Sequence, residues 1–146
     1  MQTLHSLGHA EAALALDAMR AELERRGRAA VLAVADAHGE LIALDRLDGA
    51  PLASIVIASN KAWTAARERR PTVEIGQGAR DPDHGFDVAY YGDKRYIGWG
   101  GGLPVSVDGA VVGAVAVSGL AEAEDMEVAR LGVEAIHARA SGPAAG

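Results

Sequence analysis

The dipeptide Asp108-Gly109 lies between two apolar, β-branched runs, residues 103–107 and 110–118. Asp-Gly takes the positive φ angles of a two-residue hairpin turn, so the two runs are expected to pair antiparallel. A similar unit comes earlier: "AHGE" is a turn between strands at 30–36 and 41–47, the first apolar up to its closing Asp36 and therefore central. Residues 95–99 supply a fifth strand candidate. Helical spacing of Ala12, Leu16, Met19 and Leu23 predicts a helix over 8–26, stopped by Gly27. A second helix starts near Pro51 and stops at Pro71, and a third covers 122–139. Between the second helix and the last strands, residues 71–94 are punctuated by Gly, Pro and Asp and read as irregular. Strands joined mostly by short turns argue for an α+β domain: a five-stranded antiparallel sheet with helices packed on it. One domain over 1–141 is expected, with residues 142–146 a flexible tail.

The 146 residues are 49% hydrophobic, much of that Ala and Val, with a single Phe and 18 Gly. Such a core packs small side chains and brings backbones close. A net charge of −6 with both signs interspersed argues against nucleic acid or an anionic membrane as partner. The absence of cysteine excludes disulfides, thiolate metal sites and cysteine nucleophiles. The N-terminus lacks the basic start and apolar stretch of a signal peptide, so a soluble cytoplasmic protein is expected.

The stretch "GWGGGLP" invites a nucleotide-binding reading, which its spacing refuses. A dinucleotide fingerprint starting at Gly98 needs Gly or Ala where Leu103 stands, and a hairpin follows where a helix is required. Two readings remain: a glycine corner between strands, or a pocket wall in which Gly100, Gly101 and Gly102 offer backbone donors and Trp99 a flat face. Lys61 shares a helix face with Ser54, Ala58 and Ala65, as a snorkelling cation or as a base or Schiff-base amine. Arg46 could clamp a carboxylate or pair with Asp45 or Asp48, and Asp48 could cap the helix or face a ligand. Of five histidines none forms a metal motif, so no metal site is expected. His5 and His9 could share one only if the helix began before His5. His84 is the histidine expected to face a pocket. Phe86, Tyr90, Tyr91, Tyr96 and Trp99 cluster within fourteen residues and could wall a ligand pocket or an oligomer interface.

Taken in order, "VLAVADAHGELIALDRLDGAPLASIVIASNKAWTAA", "GGGLPVSVDGAVVGAVAVSG" and "AEAEDMEVARLGVEAI" resemble the GlcG/HbpS-like family, which includes the C-terminal haem-binding module of PduO-type adenosyltransferases. The resemblance implies a profilin-like fold with the sheet between helical layers (α/β/α), homo-oligomers, and haem as a ligand of some members. An axial ligand would then come from His84, Tyr90, Tyr91, His5 or His9. Two functions stay open beside the plainer reading of an assembly protein without a ligand of its own. One is an oligomeric binder of haem or a small ligand, with Trp99, Gly100, Gly101, Gly102, Tyr90, Tyr91, Asp48 and Ser54 at the ligand. The other is a cofactor-independent isomerase, cyclase or lyase acting on a small carboxylate or carbonyl compound through Lys61, Arg46 and His84.

Overall fold

The computed structural model describes residues 1–142; apart from Gly142, the expected tail lies outside the described residues. The chain runs through α1 (His9–Arg26), β1 (Val31–Ala35), β2 (Leu41–Arg46), α2 (Ser54–Glu68), α3 (Thr72–Ala79), a 3-10 turn at Val88–Tyr91, β3 (Gly102–Val107), β4 (Ala110–Ser118) and α4 (Glu122–Ala140). The strands form one antiparallel sheet in the order β2-β1-β4-β3. None of the described helices is long and apolar enough to cross a membrane.

Both hairpins form at the expected turns. Asp108 and Gly109 have φ of 51° and 80°, and the Asp36 carboxylate receives the backbone N–H groups of His38 and Glu40 in the first turn. The sheet has four strands, not five. Residues 95–99 are not a strand because a side chain of α2 takes their backbone groups: Thr64 Oγ1 accepts the Ile97 N–H at 3.2 Å and donates to the Arg95 carbonyl at 3.1 Å. Part of the segment read as irregular is helical. α3 carries two glycines, which lower helix propensity, but Gly76 is required: a Cβ there would lie 2.0 Å from the Gly98 carbonyl oxygen. α3 and the 95–99 segment thus touch backbone to backbone.

The two faces of the sheet bury different volumes. Side chains alternate along a strand, so Leu32, Val34, Val115 and Val117 point toward α1 and α4, with Met19, Leu23, Val128 and Ile136. Val31, Ala33, Ala35 and Ala116 point the other way, toward Ala58 and Ala62 of α2. The large face carries two helices and the small face carries α2, which closes on the sheet through alanines. Ion pairs lace α1 and α4 at their solvent edge: Arg26 bonds Glu22 at 2.9 Å and Glu127 at 3.0 Å.

Ala116 and Ala62 are fully buried, so Ala116→Leu is expected to overpack this seam and cost about 1–3 kcal/mol in urea unfolding. Hydrogen bonds from Arg25 and Arg26 hold the Glu22 carboxyl down to about 2. A carboxyl depressed in the folded state stabilises above its unfolded pKa, and that contribution is lost as pH falls through the folded one. Glu22→Gln should therefore be less stable than wild type at pH 7, and the gap should close between pH 4.5 and about 2, as followed by thermal unfolding across pH.

Candidate functional site

α2 lays Ser54, Ala58, Lys61 and Ala65 against the sheet, and the third of these brings a charge into the interior. Lys61 is 2% exposed and Asp125, in the first turn of α4, 3%. Lys61 Nζ donates to Asp125 Oδ2 at 3.0 Å and to the Val117 carbonyl at 2.9 Å. The other carboxylate oxygen of Asp125 accepts the Leu120 N–H at 3.0 Å. An isolated buried charge is costly, and this pairing is what makes the burial tolerable. Burial pushes the Asp125 carboxyl above its ordinary value, against the opposing pull of the Lys61 ammonium and of the backbone donors.

The glycine corner wraps this pair. Gly101, at φ 123°, has no room for a side chain: a Cβ would sit 2.6 Å from the Val117 carbonyl oxygen and 2.9 Å from Lys61 Nζ. Gly102 presses on the α2 backbone, its would-be Cβ 2.5 Å from the Lys61 carbonyl oxygen, and its N–H donates to Thr72 Oγ1 at 3.0 Å. The Gly100 N–H donates to Glu122 at 2.8 Å. The glycines let α2, the β3 entry and the N-terminus of α4 meet around one ion pair.

Outside the pair opens a cleft of about 330 Å³, bordered by Ser54, Ile57, Trp99, Ser118 and Glu122. The Ser118 hydroxyl donates to that of Ser54 at 3.1 Å. Trp99, 57% exposed, stands at the rim. Sequence reasoning found Lys61, Ser54, Trp99 and Gly100 here but passed over Asp125, Ser118 and Glu122. The acidic "EAED" start of α4 was a usable signal, since a buried lysine needs a partner.

The other residues singled out lie elsewhere. Arg46 is exposed at the end of β2, and its neighbour Asp45 pairs with Arg20 at 3.2 Å. Asp48 is exposed, and α2 has no side-chain cap. His84 is exposed, its backbone N–H bonded to Asp81 at 2.8 Å. Tyr90 is 83% exposed. Tyr91 stacks on Tyr96 at 4.1 Å, and Tyr96 meets the buried Trp63 edge-on at 4.8 Å. Arg67 and Arg95 lie over the Trp63 ring at 4.7 and 4.2 Å. Tyr96, backed by Tyr91, thus packs on α2 from outside, and Trp99 alone of the cluster borders the cleft.

A second concavity, about 410 Å³, lies at the other end of α4. Leu7, Val107, Val112 and Ile136 supply apolar walls, with His5 and Arg139 at the margin. The Leu7 N–H donates to the Val112 carbonyl at 2.8 Å, which straps the N-terminal segment along β4 and brings His5 to the groove. α1 starts at His9, so His5 precedes it and the two histidines do not share a helix face.

Removing one partner of the buried pair leaves the other charge uncompensated. Lys61→Met is expected to cost about 3–5 kcal/mol in guanidinium unfolding. Lys61→Met combined with Asp125→Asn should recover at least half of that loss, since Asn can still accept the Leu120 N–H.

The chain is similar to several known proteins. The family model described as haem degrading protein HbpS-like matches residues 7–134. GlcG of Escherichia coli K12 is 35% identical over 118 residues, 81% of this chain and 85% of GlcG. A 15.0 kDa protein from the dhaT-dhaS intergenic region of Citrobacter freundii is 37% identical over 89 residues, 61% of this chain; the match spans 63% of that protein. The chain spans only 32% of the corrinoid adenosyltransferase PduO of Salmonella typhimurium. Among solved structures, Klebsiella pneumoniae ORFY superposes with a TM-score of 0.90 at 29% identity, covering 94% of this chain and 95% of ORFY. PduOC, solved as a haem complex, shares the fold at a TM-score of 0.83 and 24% identity, covering 89% of this chain and 94% of PduOC. With a match that runs from the N-terminal strap to the last turns of α4, the chain belongs to the HbpS-like family.

Proposed function

We propose that this protein is a haem-binding, homo-oligomeric, cytoplasmic single-domain protein, and that haem lies in the groove beside His5. The observation that carries this reading is the groove's lining: the His5 imidazole and the Arg139 guanidinium beside apolar walls, with the carboxylates of Glu11 and Asp108 among the other lining groups. Haem needs apolar walls for its macrocycle, an axial ligand for its iron and a cation for its propionates. Leu7, Val107, Val112 and Ile136 fit the first need, His5 the second and Arg139 the third. The groove's 410 Å³ falls within the roughly 300–1,000 Å³ of cofactor sites. The cleft at Lys61 fits haem less well, because no histidine or tyrosine lines it and a fixed ion pair forms its floor. Membership of a family described as haem degrading and the haem complex of PduOC support the same reading. The exposed apolar side chains Leu52, Val56 and Trp99 suit burial between copies of the chain, in line with an oligomer.

When bound, haem supplies the redox and ligand chemistry of its iron. Leu7, Val107, Val112 and Ile136 would hold the macrocycle, His5 would ligate the iron and Arg139 would meet a propionate. Titration with haemin should give a Soret band that saturates at one haem per chain. His5→Ala should shift that band and weaken binding by about tenfold or more, while His84→Ala leaves both unchanged. An unaltered band and affinity in His5→Ala would remove His5 from the site.

A further inference from the structure

The chain has fourteen cationic side chains, twelve of them arginine; its two lysines are Lys61 and Lys94. Lys94 is exposed and Lys61 is buried. A buried pair that served structure alone would suit arginine, the chain's usual cation, whose planar fork matches a carboxylate and keeps its charge. What lysine can do and arginine cannot is give up a proton and become a nucleophile. The geometry offers the means. Lys61 Nζ has three N–H donors, of which Val117 and Asp125 take two; its side chain borders the cleft at whose rim Trp99 stands. Ser54 accepts from Ser118, and its own hydroxyl proton meets no acceptor among the described residues.

We propose that the Lys61–Asp125 cleft is a second site, one that takes a small uncharged carbonyl compound and holds it as a Schiff base on Lys61 Nζ. Lining charge selects the class of ligand. Lys61 is offset by Asp125, and Glu122 adds a further negative charge at the rim. A carboxylate ligand would meet that charge, whereas the oxygen of an aldehyde or ketone needs only the donors of Lys61 and Ser54.

The chemistry closes on the residues present. Lys61 passes a proton to Asp125 along their 3.0 Å hydrogen bond. The freed amine lone pair forms the C–N bond as the C=O π pair moves onto oxygen; the nitrogen, now carrying a positive charge, gives one of its two protons to that oxygen, and a neutral carbinolamine results. Asp125 returns its proton to the departing hydroxyl, the C–O bond breaks, water leaves and a protonated imine remains. In sum, a carbonyl and a lysine ammonium become an iminium and one water, with Asp125 ending as the carboxylate that faces the iminium. This site and the His5 groove sit at opposite ends of α4, whose 19 residues span roughly 28 Å, so the inference does not rest on the haem reading.

The test uses the wild-type protein with acetaldehyde, propanal and hydroxyacetone, each with sodium borohydride, which reduces a carbon–nitrogen double bond to a stable amine. Peptide mass mapping then compares Lys61 with Lys94 and the Met1 amine. Simple exposure favours Lys94 and Met1. Labelling of buried Lys61 above both, with at least one of the three compounds, is the expected result. Labelling of Lys94 and Met1 with Lys61 unmodified by all three would overturn the proposal. Asp125→Asn should lower Lys61 labelling by about tenfold or more with Lys94 unchanged and the circular dichroism spectrum native. If that variant does not fold, the wild-type ratio decides alone. His5→Ala should label Lys61 as wild type does, which keeps failure of this proposal distinct from failure of haem binding.

Discussion

Lys61 and Asp125 meet at 3.0 Å, each nearly sealed from water, and three elements close around them. An ion pair in such a place is seldom the cheapest way to fill a core, because desolvating both charges offsets much of their attraction. It does impose geometry. Asp125 must sit where it can also take the Leu120 N–H, and Lys61 where it can also reach the Val117 carbonyl. These bonds fix the start of α4 against the end of β4 and against the middle of α2. The glycine run at 100–102 follows from the same demand, since side chains at Gly101 or Gly102 would displace the lysine or its helix.

The unequal faces of the sheet set the depth of that site. β1 and β4 present small side chains to α2, so the helix approaches closely and its lysine reaches both Val117 and Asp125. On the opposite face, leucine, valine and methionine fill a thicker layer beneath α1 and α4. α4 therefore serves both sides: its body packs in the large-residue core, while its first turn brings Asp125 to the α2 side of the corner.

Much of this was legible in the residues. Asp108-Gly109 and the "AHGE" turn placed the hairpins, and helical spacing placed α1, α2 and α4, because those signals are local. Ordered motifs pointed to the family. The fifth strand and α3 were not legible, for reasons that lie in tertiary contacts. The 95–99 segment satisfies its backbone through Thr64, more than thirty residues earlier, and α3 tolerates its glycines because Gly76 meets Gly98. At the site, Lys61 could be singled out by its small-residue face, but Asp125 sits sixty-four positions away and only the fold joins them. Tyr90 and His84 show the converse: candidates in sequence that the fold leaves at the surface.

The proposed haem groove and the buried lysine lie at opposite ends of α4: apolar walls with an imidazole at one end, a polar cleft with an ion pair at the other. A crystal structure of the protein grown with haemin bears on this most directly, through the anomalous signal of iron. Iron beside the His5 imidazole, with the Lys61 cleft free of porphyrin, is the predicted result. Iron in the cleft between Trp99 and Lys61 would contradict it.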